Sequence, residues 1–278
     1  MNYRNTCLLL PLALTFATIA APVAARSRPG KTPDARPHIT ALAECGATRD
    51  SACIREHREA LANMGVKACP QLASSLPENA EAGQTSLAEA MVALKCPELL
   101  AVATAAFKNT DADNRGPLAV AFAQSKAEKL LPAVQELVRS GRPYDREKGC
   151  EALAIMGNDK AIPTLVEATG HGLYSVRQQA ARALGSFQGE AARDALAKLL
   201  TSDSNIGVRI EAAGAMGIQK DMLSVPALIK GLADDSGPVK TAVHKALIDV
   251  TGLDIGIDPE AWEKWWAKNQ PAAPRKRW

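Results

Sequence analysis

The strongest constraint in this chain is a pattern that recurs every 31 or 32 residues. Val176, Ala180, Ala183 and Leu184 are spaced as one face of a helix, Val208, Ala212, Ala215 and Met216 repeat that face, and Val239, Val243, Ala246 and Leu247 repeat it again. Ahead of each stands another apolar helical face. These are Ile162, Leu165 and Val166, then Ala192, Ala195, Leu196, Leu199 and Leu200, then Val225, Leu228, Ile229 and Leu232. A pair of short amphipathic helices cannot bury its apolar surface alone. The pattern therefore predicts helix pairs stacked side by side, each needing its neighbours. Hydrophobic residues make up 47% of the chain but aromatics only 4%, which suits thin, closely packed helical layers rather than a thick globular core.

The first helices share Ile162-Pro163-x-Leu165 and Val225-Pro226-x-Leu228. The second helices share Val176-Arg177-x-x-Ala180-Ala181-x-Ala183-Leu184-Gly185, repeated as Val208-Arg209-x-x-Ala212-Ala213-x-Ala215-Met216-Gly217. On these residues the chain resembles the HEAT repeat in its short bacterial form, also found in HEAT proteins of the phycobilisome-lyase type. The resemblance implies an all-α fold, an α-solenoid of about six HEAT-like helix pairs wound into a superhelix. It also implies an interaction surface, because such arrays have no catalytic constellation in common. On that ground the chain is expected to be a non-enzymatic scaffold or adaptor for a protein or peptide partner, with no cofactor. The alternative from the same family is a lyase-like or otherwise catalytic HEAT protein. A chromophore lyase would act in the cytosol, which the amino terminus argues against.

Residues 1–25 read as a signal peptide: Arg4 supplies the positive start, Leu8 to Ala21 the apolar run, and Val23-Ala24-Ala25 a small-residue cleavage site. That run is interrupted by Pro11 and falls short of the roughly 20 apolar residues of a membrane span. The chain is thus expected to be exported, to the periplasm or beyond, without stable membrane insertion. Residues 26–37, with three prolines and four basic residues, form a flexible linker. Residues 38–252 form the array, with degenerate repeats over 38–125 and regular ones over 126–252. Residues 253–278 hold a capping helix, in which Asp258-Pro259 starts a helix bearing Trp262, Trp265 and Trp266 on one face, and a basic tail. Loss of the signal removes one basic and no acidic residue, so the net charge falls from +3 to +2. Nothing in that balance calls for nucleic acid.

Signatures of catalysis and metal binding such as HExxH, GxSxG, CxxC and the phosphate-binding glycine loop do not occur. His38, His171 and His244 fit solvated or packed positions. Cys53 and His57 lie four apart on one helical face and make half a metal site, to which Cys45 and Cys69 could add, but in an exported chain the thiols are expected to be oxidised instead. Cys45 and Cys53 flank one helix turn and are expected to bridge. Cys69 and Cys96 each precede the proline of a first helix. Packed helices lie about 8–10 Å apart and a disulfide wants Cα atoms within about 7 Å, so this bridge requires the units to be drawn together. Cys150 reads as a small buried apolar residue.

Arg177, Arg209 and Lys240 recur at one position in three units and should form a basic ladder. Asp203 and Asp234 each precede a second-helix valine by five residues and so stand near the cation of their own unit, whereas His171 takes that place before Arg177. Arg177 is therefore expected to be the least neutralised. With Tyr174 beside it, Arg177 makes an aromatic–arginine pair of the kind enriched at binding hot spots. Arg177, Tyr174, Arg209 and Lys240 are the expected partner-binding residues, on a concave surface of second helices.

Overall fold

The computed structural model describes residues 33–109 and 112–271. Residues 1–25, expected to be a signal peptide, linker residues 26–32, residues 110–111 and tail residues 272–278 lie outside the described residues. A hairpin of α1 (Arg36–Thr48) and α2 (Ser51–Met64) opens the fold. Six pairs follow: α3 (Cys69–Ser75) with α4 (Glu81–Ala93), α5 (Leu99–Lys108) with α6 (Arg115–Ala123), α7 (Leu131–Ser140) with α8 (Pro143–Met156), α9 (Ile162–Ala168) with α10 (Tyr174–Leu184), α11 (Glu190–Ser202) with α12 (Ile206–Gln219), and α13 (Val225–Gly231) with α14 (Gly237–Thr251). A closing helix, α15 (Pro259–Asn269), ends the array. No strand occurs among the described residues. The first helix begins at Arg36, two residues inside the expected linker, with Pro37 in its first turn where the missing N–H costs nothing.

The helices form two layers. Second helices α4, α6, α8, α10, α12 and α14 stack in sequence behind α1, while α5, α7, α9, α11 and α13 stack beside them and end on α15. The prolines explain where the first helices start. Pro70, Pro132, Pro163 and Pro226 all occupy the first turn of a first helix, pre-set to helical φ where no N–H is needed. The apolar residues that set the period are buried in the second helices: Val176, Val208 and Val239 are each 0% exposed.

The recurring glycine of the second-helix signature has a steric cause. A Cβ on Gly185 would stand 3.1 Å from Cα of Ala215, and one on Gly217 would stand 3.2 Å from Cα of Ala246. Each glycine thus takes the backbone of the next second helix at its signature alanine. Small residues let adjacent second helices approach closely, and a larger side chain would push the layers apart.

At the carboxyl end, Trp262 is fully buried and its Nε1–H donates to the Gly256 carbonyl at 2.8 Å. Trp265 packs edge-on to it at 5.8 Å and, with Trp266, is half-buried against the core. The helix lies on α13 and covers the end of the first-helix layer. At the amino end, Cys45–Cys53 closes the α1–α2 turn with a Cα separation of 5.8 Å, and Cys69–Cys96 joins two units at 5.4 Å. The second pair is not bridged across the spacing of two helices. Cys96 sits in the turn after α4, where Lys95 adopts φ 54° and the Cys96 N–H donates back to the Met91 carbonyl. That left-handed turn folds the sulfur toward the start of α3. Among the described residues Cys150 is the free cysteine, and it is fully buried. Burial pushes its thiol up to about 12.

Candidate functional site

The amino-terminal ends of the second helices gather the sequence-predicted polar residues. Asn205 caps α12 by accepting from the Val208 N–H, which leaves Arg209 one residue further on, pointing across the loop. Arg177 reaches from α10 to Asp203 in the loop before α12. Its Nε and Nη2 donate to the two carboxylate oxygens at 2.6 and 2.8 Å, and Nη1 donates to the carbonyls of His171 and Gly172 at 3.0 and 3.1 Å. Arg209 repeats the arrangement one unit on, donating to Asp234 at 2.7 and 3.1 Å and to the Asp203 carbonyl at 2.8 Å. Each aspartate also accepts from the backbone two residues on, Asn205 or Ser236, which fixes its loop.

This corrects the expectation for Arg177. The acid that serves each arginine belongs to the following unit, not its own, because the side chain extends from the helix start over the neighbouring loop. Arg177 is therefore clamped bidentate, with a side chain only 15% exposed. Its hydrogen bonds are the main cause that holds the Asp203 carboxyl below the usual carboxylate range, outweighing desolvation. At Asp234 burial works in the opposite sense, but the hydrogen bonds from Arg209 and the Ser236 N–H, with the charges of Arg209 and Lys240, still hold the carboxyl low. Lys240 so acts on Asp234 from its own unit and makes no ion pair among the described residues. Upstream, Arg115 donates to the buried Asp145 at 2.9 Å and the Gly116 N–H to its other oxygen at 3.0 Å, a related clamp joining α6 to α8.

The large apolar and aromatic side chains left open at this end of the second helices form a recurring set. Tyr144, Tyr174 and Ile206 stand at the first or second position of α8, α10 and α12 and are 52%, 55% and 49% exposed, with Leu173 at 43% beside Tyr174. The structure thus separates Tyr174, which is accessible, from Arg177 and Arg209, which are engaged. Tyr144, Leu173 and Ile206 were missed by sequence reasoning. For Ile206 the signal was present, since it precedes the periodic valine by two residues as Tyr174 does. A second feature lies in the degenerate half. A cavity of about 420 Å³ is lined by Ala73, Leu76, Val102, Ala106 and Leu118, with Glu81 and Gln84 at its edge.

Residues 171–248 match the family of HEAT repeats. The X-ray structure of YibA of Escherichia coli is similar at 18% identity and a TM-score of 0.51, over 87% of this chain and 98% of that one. The fold is that of a HEAT-like α-solenoid, and the family match covers residues 171–248 of it. Among curated proteins, deoxyhypusine hydroxylase-B of Oryza sativa subsp. japonica is 36% identical over 97 residues, 34% of this chain and 32% of its own length. The match thus spans about a third of that relative's length. The likeness overturns the expectation that the chain is no enzyme. That expectation rested on HEAT arrays being binding surfaces, yet a relative sharing this stretch is named as a hydroxylase, and a repeat fold does not fix what its residues do.

Proposed function

We propose that this HEAT array is exported and binds a protein or peptide along the amino-terminal ends of its second helices. The observation that carries the reading is the row formed by Tyr144, Tyr174 and Ile206 in three successive units. Stacked units bring such residues within one helix spacing of each other, so an extended partner meets several at once. Large exposed side chains at repeated positions are the material of interface anchors. Export is supported by the pattern of residues 1–25 and by two disulfides, which persist in oxidising compartments. A near-neutral balance favours a protein partner over nucleic acid. The test is capture from an envelope extract. Tyr174→Ala with Ile206→Ala should leave the melting temperature within a degree or so and abolish capture of the main partner. Retention of every partner recovered by the parent chain would refute this surface.

The hydroxylase relative and the cavity favour a second reading, in which the same chain acts on a small group. A cavity of this size is within the range of small-molecule sites, roughly 300–1,000 Å³. Val102→Trp, which fills it, should then abolish small-ligand binding while leaving partner capture intact. If the filled variant still binds every small ligand, the cavity is only loose packing.

A further inference from the structure

The amino-terminal hairpin assembles a donor set beyond what its covalent bridge requires. His57 follows Cys53 by one turn of α2. One ring nitrogen of His57 and the sulfurs of Cys45 and Cys53 all lie within 4.8 Å of one another. Across the hairpin, Nδ1 of His57 meets Nδ1 of His38 from α1 at 3.1 Å, with ring centroids 5.4 Å apart. Nδ1 being engaged, Nε2 is the nitrogen left for an ion. Cys45 is buried, while Cys53, His57 and His38 are half-buried, so the group is walled on one side and reached by solvent on the other. Two sulfurs, one imidazole, and a partner on the far ring nitrogen are the ligands and outer support of a tetrahedral zinc site with one position open.

We propose that reduction of Cys45–Cys53 converts this hairpin into a site for one Zn²⁺, held by Cys45, Cys53 and His57, with His38 fixing the His57 tautomer and the fourth position left to water or an external ligand. A dithiol reductant supplies two electrons and two protons to the disulfide and itself becomes a disulfide. The ion then displaces the two thiol protons, and the two thiolates balance its charge. Cys53 stands in the first turn of α2, where the helix dipole favours the thiolate. The Asp50 side chain, accepting from the Ala52 and Cys53 N–H groups at 3.0 and 3.1 Å, keeps that turn in place whether or not the sulfurs are bonded. The Cα atoms of Cys45 and Cys53 lie 5.8 Å apart, and the covalent and metal-bound states are proposed as alternatives on that one backbone.

The test uses the full chain, reduced with a phosphine, freed of metal and titrated with Zn²⁺ against a chromophoric chelator, with Co²⁺ as a spectroscopic probe. Cys69, Cys96 and Glu98 form a second group of possible ligands, so the titration is also run on Cys69→Ala/Cys96→Ala. One Zn²⁺ per reduced chain, none in the oxidised chain, and a thiolate-to-cobalt charge-transfer band are expected in both backgrounds. His57→Ala should weaken binding at least about tenfold. His38→Ala should weaken it by about 10–100-fold, the range for an outer-shell partner, and His38→Gln should restore part of the loss. A reduced chain that keeps its helical circular dichroism yet binds no Zn²⁺, or binds it equally well after His57→Ala, overturns the proposal. Should the double cysteine variant not fold, the His57→Ala comparison in the otherwise unaltered reduced chain decides the question.

Discussion

The two ends of the array are tied together by different means. From α10 to α14 the same ionic clamp recurs at two junctions, an arginine of one second helix gripping the aspartate of the next loop. From α1 to α5 neighbouring segments are joined by two disulfides and by contacts used once each, such as the Ala35 N–H to Gln71 and the Asp113 N–H to Glu81. A clamp needs a constant offset between donor and acceptor, which the strict period provides at these two junctions. Where the period breaks, no two junctions share a geometry, and a bond needing only two sulfurs and a bend takes its place. Regularity and covalent closure are thus substitutes within one molecule.

The largest expected effect is at the carboxyl cap. Trp262→Ala removes a fully buried side chain and should cost about 3–5 kcal/mol. In a quasi-one-dimensional array this loss should be local. Hydrogen exchange should accelerate in α13 and α14 while α1 to α3 stay protected, and equal acceleration at both ends would show that the halves unfold as one block. Next comes Cys69→Ala with Cys96→Ala, expected to cost about 2–4 kcal/mol by freeing the unfolded chain, although how much of that is entropic depends on the model used. Denaturation followed by exchange should place this loss in α3 to α5. A loss spread evenly to α14 would erase the distinction between covalent and ionic ties.

The smallest effect concerns a single clamp. Asp203→Asn leaves Arg177 without its charge partner and should cost about 1–3 kcal/mol, read as earlier urea unfolding of α10 and α12. The pH dependence has a fixed sign. A carboxyl held low in the folded state contributes its stability above the unfolded carboxylate value, near about 4, and loses it as pH falls through the depressed folded value. Acid should therefore loosen the regular half before the disulfide-bonded end, and Asp203→Asn should flatten that dependence. An unchanged acid transition in the variant would show that Asp203 titrates without consequence for folding.

The architecture was legible in the sequence because burial and period are the same fact seen twice. Val176, Val208 and Val239 mark a stripe that only stacking can cover, and prolines mark the starts of first helices. The partner of Arg177 was not legible. Spacing along the chain places Asp203 near Arg209, whereas the side chain of Arg177 crosses to the next unit and takes the carboxylate, leaving Arg209 the Asp203 carbonyl and Asp234. The Cys69–Cys96 bridge was half legible: the pair could be named, but the left-handed turn at Lys95 that brings it together leaves no periodic trace. The meeting of His38 and His57 depends on how two helices lie across one another, and the pattern of neither helix records it.

The forward reach of the clamps gives the array a polarity. The unit of α11 and α12 carries a plug, Arg209, and offers a socket, Asp203, to the unit before it. A copy of residues 176–207 inserted at that boundary would bring one plug and one socket of its own, so the chain could lengthen by whole units without any new junction being invented. The last unit offers Asp234 as a socket but has a lysine where a plug would be, and α15 then closes the stack. Extension is thus open inside the regular half and closed at its end, as in a coupling whose final piece has been turned into a stopper.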